Sequence, residues 1–221
     1  MFQDRRDAGR QLAGRLGHYR DQPEVVVLSC WPCREGASPW PTRWPGPCAP
    51  LDVSVVRKLG LPGHGEVAAG AIAAGGTRVV NREVVDRFAL PAAAIEAVAE
   101  KEGRELERRE RTYRAGRPPL ELRGKTVLLV DDALATGASM RAAVQAARPF
   151  GPARLVVAVP VAPADTCGAL RSEVDEVVCA FMLTVFSAVG QGYADFTQTP
   201  DREVLGLLRQ AASRQGETYD G

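Results

Sequence analysis

The order of apolar and polar positions along the first half of the chain predicts a mixture of strands and helices. Apolar residues at helical spacing predict a helix at 7–19, and short apolar runs predict strands at 24–28 and 51–58. Two apolar runs around Gly75-Gly76 indicate a β-hairpin at 69–81, off the main sheet, and a long helix is predicted at 91–113.

The second half alternates more regularly. It predicts strands at 125–130, 153–161 and 176–180, and helices at 136–148, 164–172 and about 201–212. Strands that alternate with helices form βαβ units and a parallel sheet. We therefore expect an α/β fold with a parallel sheet of about five strands flanked by helices, in a single domain over residues 1–221.

Composition narrows the classes of function. The chain has 28 basic and 27 acidic residues and a net charge of +1, which disfavours a broad nucleic-acid surface. No apolar run reaches the roughly 18 residues of a membrane span, and the N-terminal residues lack the apolar core of a signal peptide. The odd count of 5 cysteines indicates reduced thiols. We expect a soluble cytoplasmic protein, whose oligomeric state stays open with a homodimer as one option.

The junction after the strand at 125–130 is the most informative part of the chain. Apolar residues run directly into Asp131 and Asp132, and a loop of small residues then leads into an Ala-rich helix. Ligands of parallel sheets bind at the carboxyl ends of strands, where backbone N–H groups and a helix dipole attract an anion. The two carboxylates would repel a phosphate but suit ribose hydroxyls one sugar length away. The junction thus predicts a ribose 5-phosphate site, against the alternative of a generic acidic strand end.

This junction resembles the phosphoribosyl pyrophosphate signature of type I phosphoribosyltransferases. The resemblance implies that Asp131 and Asp132 hold the ribose 2- and 3-hydroxyls. It implies a 5-phosphate site formed by Ala135, Thr136, Gly137, Ala138 and Ser139. Further segments at 2–9, 51–60, 62–64, 71–76 and 188–196 resemble a less characterised bacterial branch of phosphoribosyltransferase-domain proteins.

The family implies transfer of a phosphoribosyl group from phosphoribosyl pyrophosphate to a nitrogen acceptor such as a nucleobase. It also implies Mg²⁺ bound through substrate oxygens, with Asp131 or Asp132 reaching the ion through water and no direct protein ligand. The purine-salvage branch has a catalytic Asp where this chain has Ala135, so a hypoxanthine–guanine enzyme is disfavoured and the acceptor stays open. The alternatives are a non-catalytic regulator that binds phosphoribosyl pyrophosphate or a nucleotide, and an inactive variant.

One interval, 29–48, departs from the family. The family normally has a Pro-Arg-Gly-Gly pyrophosphate loop and a helix there, whereas this chain has all 3 tryptophans and several prolines. Trp-Pro occurs at 31–32, 40–41 and 44–45, and its codons are what a Leu-Ala or Val-Ala pair yields one nucleotide out of register. Our hypothesis is a locally shifted reading frame; the alternatives are a natural proline-rich insertion and, less favoured, a Cys30–Cys33 redox or zinc motif.

Other candidate site residues lie outside the phosphate loop. Arg57 and Lys58 close the second predicted strand and would face the pyrophosphate, or else form a solvated strand end. The segment 62–66 would be a mobile loop, with His64 as a proton donor or a surface residue. Phe186 and Tyr193, with Phe196, would form a hood that stacks on the base, or else make ordinary core contacts.

Overall fold

The computed structural model describes residues 1–20, 22–32, 50–61, 64–73, 76–114, 120–184, 188–197, 202–203, 205–206 and 208–209. Most of the anomalous interval 29–48 therefore lies outside the described residues, as does Phe186. The reading-frame hypothesis for that interval stays a prediction.

A seven-stranded sheet in the order β4-β3-β2-β1-β5-β6-β7 forms the centre of the molecule. Its strands are β1 (Val25–Pro32), β2 (Leu51–Leu61), β3 (His64–Ala73), β4 (Arg78–Val80), β5 (Thr126–Val130), β6 (Arg154–Pro163) and β7 (Glu176–Leu183). The pairs β2–β1, β1–β5, β5–β6 and β6–β7 are parallel, whereas β3 is antiparallel to both of its neighbours. The prediction of an α/β fold with five parallel strands is confirmed.

Helices of the described residues pack on the sheet: α1 (Arg5–Arg15), α2 (Arg82–Arg87), α3 (Ala92–Arg114), α4 (Ala138–Ala147) and α5 (Ala164–Leu170). Four of them were predicted from apolar spacing. The short helix α2 was not, although Asn81 caps it by accepting a hydrogen bond from the Val84 amide, a recognisable local signal. The described positions between 202 and 209 are helical, in agreement with the predicted last helix.

The sheet divides the core into two layers because strand residues alternate between its faces. Leu128 and Val130 of β5 pack with residues of α1 and α3, whereas Val127 and Leu129 pack with residues of α4 and α5. By the same alternation, Asp131 and Asp132, which follow β5, lie on opposite sides of the sheet.

Two predictions around β2 are wrong. The hairpin at 69–81 belongs to the main sheet, because β3 pairs with β2 and β4 with β3. Arg57 and Lys58 do not close β2, which continues to Leu61, and residues 64–66 form the start of β3 instead of a loop. The antiparallel pairing with β3 extends both strands beyond the limits that local apolar pattern suggests.

Candidate ribose-phosphate site

The loop between β5 and α4 is fastened to the neighbouring elements by its backbone. The Leu134 amide donates to the Val161 carbonyl at 3.0 Å, and the Thr166 hydroxyl donates to the Ala135 carbonyl at 2.8 Å. On the side of α4, Arg141 Nη1 donates to the Thr136 carbonyl at 3.2 Å. These contacts hold the loop at the carboxyl end of the sheet through β6, α5 and α4, independently of any ligand.

Gly137 is required by the shape of the loop. Its φ of 75° lies in the left-handed region, and an added Cβ would meet Thr166 Cγ2 at 3.0 Å. Because Gly137 is the N-cap, α4 begins at Ala138, two residues later than predicted. Thr136 and Gly137 consequently stay in the loop.

The N-terminus of α4 has unmet hydrogen-bonding capacity. Gly137 provides no side-chain cap for the first amides of the helix. The Ala138 amide donates a long hydrogen bond to Thr136 Oγ1, at 3.4 Å. In the described part of the chain, Ser139 Oγ is buried without a hydrogen-bond partner. A buried hydroxyl normally finds a partner, and an orphan at a helix N-terminus fits an anionic ligand that would supply it.

Asp131 lies on the α4 side of the sheet in a buried position. Its carboxylate accepts a hydrogen bond from the Asp132 amide at 2.9 Å, and Lys58 and Arg5 contribute positive charge. Burial and the adjacent charge of Asp132 outweigh these effects and raise the pKa of Asp131 well above its ordinary value. A protonated carboxyl both donates and accepts hydrogen bonds, which suits contact with a hydroxyl pair.

Asp132 lies on the opposite side and is paired with Arg5. Arg5 Nε donates to Asp132 Oδ2 at 2.9 Å, and the two side chains are only 4% and 10% exposed. The Tyr193 hydroxyl donates to the Asp132 backbone carbonyl. Burial is the main cause that raises the pKa of Tyr193, followed by the nearby charge of Asp132, so the phenol keeps its proton. Asp132 is thereby held at its side chain and at its backbone.

The two basic residues of β2 are separated by the pleat of the strand. Arg57 pairs with Glu102 of α3, in the layer formed by α1 and α3. Lys58 is exposed, and its positive charge partly opposes the rise in the pKa of Asp131. The structure thus brings Lys58 to the candidate site and directs Arg57 to an ion pair with α3.

The aromatic residues of the segment 188–197 lie behind the loop. Tyr193 is 5% exposed, and its ring centroid is 5.7 Å from that of Phe2 and 4.8 Å from that of Phe196. A ring buried in this way favours the interpretation as a core contact over that of a platform for a base. Gly192 allows this packing, because a Cβ there would meet the Val161 side chain at 3.0 Å.

Arg5 is the residue of the site that the sequence did not reveal. It lies 127 positions from Asp132, and an arginine in the first turn of an amphipathic helix normally faces solvent. The only signal was its place in the N-terminal segment that resembles the bacterial branch.

Several other expectations concern chemistry elsewhere in the molecule. Cys30, Cys167 and Cys179, the described cysteines, are free and buried, as expected for reduced thiols. The described residues contain no group of three or more His, Cys, Asp or Glu that could hold a metal ion. Within the same residues, no helix is long and apolar enough to cross a membrane. The alternating charges of α3 form ion pairs such as Glu105 with Arg108 and Arg109.

Comparisons with known proteins agree with the fold and with the place of the loop. A family model described as phosphoribosyl transferase domain matches residues 67–193, more than half of the chain. Two Mycobacterium tuberculosis proteins, from strains CDC 1551 and H37Rv, are each provisionally named a phosphoribosyl transferase. Both are 46% identical over 212 residues, which cover 96% of this chain and 47% of each relative. The chain therefore spans about half the length of these curated relatives.

A solved structure matches nearly the whole chain. The crystal structure of TT1426 from Thermus thermophilus has a TM-score of 0.70 and 38% sequence identity, and the match covers 94% of this chain and 97% of that one. The matched family range contains the loop after β5, the N-terminus of α4 and Tyr193. The chain belongs to the phosphoribosyl transferase domain family.

Proposed function

We propose that this chain transfers a 5-phosphoribosyl group from phosphoribosyl pyrophosphate to a nitrogen acceptor and releases pyrophosphate. The observation that carries the proposal is the buried, unpartnered Ser139 Oγ at the start of α4, where the N-cap Gly137 has no side chain to bond the helix amides. Ser139 lies in the first turn of α4, directly after the loop that begins with the acidic pair, Asp131 and Asp132. The helix N-terminus can bind an anion, and the two carboxyl groups beside it can bind hydroxyls. A ribose 5-phosphate needs both kinds of contact.

In the proposed reaction the bond from ribose C1 to the pyrophosphate oxygen breaks, and pyrophosphate leaves with the electron pair. The acceptor nitrogen forms the new bond to C1 and loses its proton. Because C1 acquires positive character on the way, orientation of the ribose and neutralisation of the leaving group are the main tasks of the protein. Asp131 and Asp132 would orient the ribose, and Ala135, Thr136, Gly137, Ala138 and Ser139 would hold the 5-phosphate. Lys58 would face the pyrophosphate.

Mg²⁺ is the proposed cofactor, and when bound it would neutralise charge on the leaving pyrophosphate. The ion would be held mainly by substrate oxygens. Asp131 or Asp132 would then reach the ion through water.

The acceptor is proposed only as a class. Ala135 gives the loop no side-chain base, so the acceptor nitrogen would pass its proton to solvent or to pyrophosphate. This disfavours purines of the hypoxanthine–guanine type and favours an acceptor whose nitrogen is already nucleophilic.

A second candidate is a protein that binds phosphoribosyl pyrophosphate or a nucleotide without turnover. It is favoured by the interval 29–48, which lacks the Pro-Arg-Gly-Gly sequence expected of a pyrophosphate loop. Both candidates share the ribose 5-phosphate site, so they differ only in the release of pyrophosphate.

The test measures pyrophosphate release from phosphoribosyl pyrophosphate and Mg²⁺ across a panel of nucleobases and other nitrogen acceptors. Ser139→Ala is expected to weaken substrate binding by on the order of tenfold. It should not lower the melting temperature, because the hydroxyl has no partner to lose. Ser172→Ala, which removes an exposed hydroxyl bonded to the Ala169 carbonyl, is the matched control.

The outcomes separate the candidates. Release that depends on an acceptor supports the transferase. Binding without release from any acceptor supports the second candidate, and failure to bind phosphoribosyl pyrophosphate contradicts both.

A further inference from the structure

Arg5 is a buried cation that makes several kinds of contact. Besides the ion pair with Asp132, its Nη1 donates to the Thr197 carbonyl at 2.6 Å. Its guanidinium carbon lies 3.6 Å from the centroid of the Phe196 ring. Only the planar, branched guanidinium combines a directed bond to a carboxylate, a bond to a carbonyl and contact with a ring face.

The backbone on both sides of Arg5 is fixed to the rest of the molecule. Asp4 caps α1 by accepting a hydrogen bond from the Asp7 amide at 2.7 Å. Before it, the Phe2 amide donates to the Gly192 carbonyl, and the Ala194 amide donates to the Phe2 carbonyl, both at 2.8 Å. The start of the chain and the segment 192–195 thus form one short paired unit that carries Arg5.

Among the described residues, the hydrogen bonds from this unit to the candidate site go to Asp132. The Tyr193 hydroxyl bonds to the Asp132 carbonyl and Arg5 bonds to its carboxylate. Residues 134–136, the phosphate end of the loop, are held by other hydrogen bonds. Their partners are Val161, Thr166 and Arg141. The ribose end and the phosphate end therefore have separate supports.

We propose that Arg5 is a positioning residue for the ribose end of the site, where it fixes the orientation of the Asp132 carboxylate. The proposal rests on the proposed function, because it takes ribose hydroxyls as the ligand of the acidic pair. Two adjacent carboxylates near a phosphate repel one another, and a buried counter-cation keeps one of them ionised and fixed. Fixed acceptors orient a bound sugar at a lower entropic cost than mobile ones.

Two probes separate the ends of the site. Inorganic phosphate would bind only at the N-terminus of α4. Ribose 5-phosphate would bind there too and would add contacts from its hydroxyls to the acidic pair. Calorimetric titration of the full chain with each probe gives the ratio of the two affinities. The wild-type chain is expected to prefer ribose 5-phosphate.

Arg5→Lys keeps the charge and loses the branched geometry, and Arg5→Met loses both. Each is expected to lower the affinity for ribose 5-phosphate by at least about tenfold, with little change in the affinity for inorganic phosphate. Arg6→Ala is the control from the same helical turn, since Arg6 is exposed and pairs with Glu203. It should leave both affinities unchanged.

The results also separate this proposal from the proposed function. If the wild-type chain shows no preference for ribose 5-phosphate over phosphate, the proposed function fails, and this proposal fails with it. If the wild-type preference exists and Arg5→Lys retains it, only the role of Arg5 is overturned. That role is also overturned if Arg5→Lys loses affinity equally for ribose 5-phosphate and for inorganic phosphate, or if Arg5→Lys unfolds. In either case Arg5 would serve the fold alone.

Discussion

The two acidic residues after β5 lie on opposite sides of the sheet. On the α4 side, Asp131 is buried and interacts electrostatically with Cys30 and Lys58. On the α1 side, Asp132 forms an ion pair with Arg5. The two residues are adjacent in sequence and equally acidic in solution. Burial raises the pKa of Asp131 above its ordinary value, and a guanidinium lies against Asp132. Neighbouring carboxylates thus acquire different electrostatic roles because strand alternation places them in different layers.

The comparison has a chemical consequence for the acidic pair. A carboxyl that holds its proton donates a hydrogen bond, whereas a carboxylate only accepts one. When it holds its proton, Asp131 is therefore expected to contact a hydroxyl as donor or acceptor, whereas Asp132, held by Arg5, is expected to accept in a fixed direction. Substitutions to asparagine are expected to have opposite effects on stability at the two positions.

The largest effect is expected for Asp132→Asn. The change leaves Arg5 as a buried cation without its carboxylate and should lower the free energy of unfolding by about 3–5 kcal/mol. Denaturant unfolding measures it, alongside Arg5→Met and the double variant. Because both residues serve one ion pair, the double variant should lose less than the sum of the single losses. Strict additivity would contradict the pairing.

A smaller loss is expected for Tyr193→Phe. The phenol bonds to the Asp132 carbonyl in a buried position, so its removal should cost about 1–2 kcal/mol. Calorimetric titration should also show weaker ribose 5-phosphate binding. Tyr19→Phe is the control, because Tyr19 bonds to Glu176 at the other end of the sheet and should not affect ligand binding. Equal binding by both variants would argue against support of Asp132 by Tyr193.

Asp131→Asn is expected to have the smallest effect, in the opposite direction. The pKa of Asp131 is higher in the folded protein than the value of about 3.8 in the unfolded chain. Protonation of Asp131 therefore stabilises the fold fully below about pH 3.8, and this stabilisation is lost as the pH rises through the pKa of the folded protein. Asparagine cannot ionise and still accepts the Asp132 amide. The melting temperature of the variant should therefore be higher than that of the wild type near pH 7. This difference in melting temperature should disappear as the pH falls toward 4. A difference independent of pH would show that ionisation of buried Asp131 is not its cause.

The sequence predicted the loop between β5 and α4 because its signal is local. A buried strand, two acids, small residues and a helix follow one another within a short stretch of chain, and each has a distinct backbone preference. Residues 127–139 could thus be placed without knowledge of other elements.

The features that the sequence did not predict depend on distant pairing. Arg5 meets Asp132 only because the start of the chain pairs with residues 192–195, and no local pattern contains that information. The length of β2 likewise depends on β3, which is why Arg57 and Lys58 were placed at a strand end. Tyr193 was predicted as a hood residue or a core contact, and the choice between them depends on its packing against Phe2, which is distant in sequence.

The central position of β1 has a practical consequence for fragment design. The family range 67–193 is a natural choice for a minimal fragment, yet β1 and β2 lie outside it, and β1 joins β2 to β5 in the sheet. A fragment cut to that range would keep the loop between β5 and α4 but leave β5 with an open edge and Asp132 without Arg5. Open edges of buried strands promote aggregation. Any truncation meant to retain ligand binding should therefore begin before Phe2.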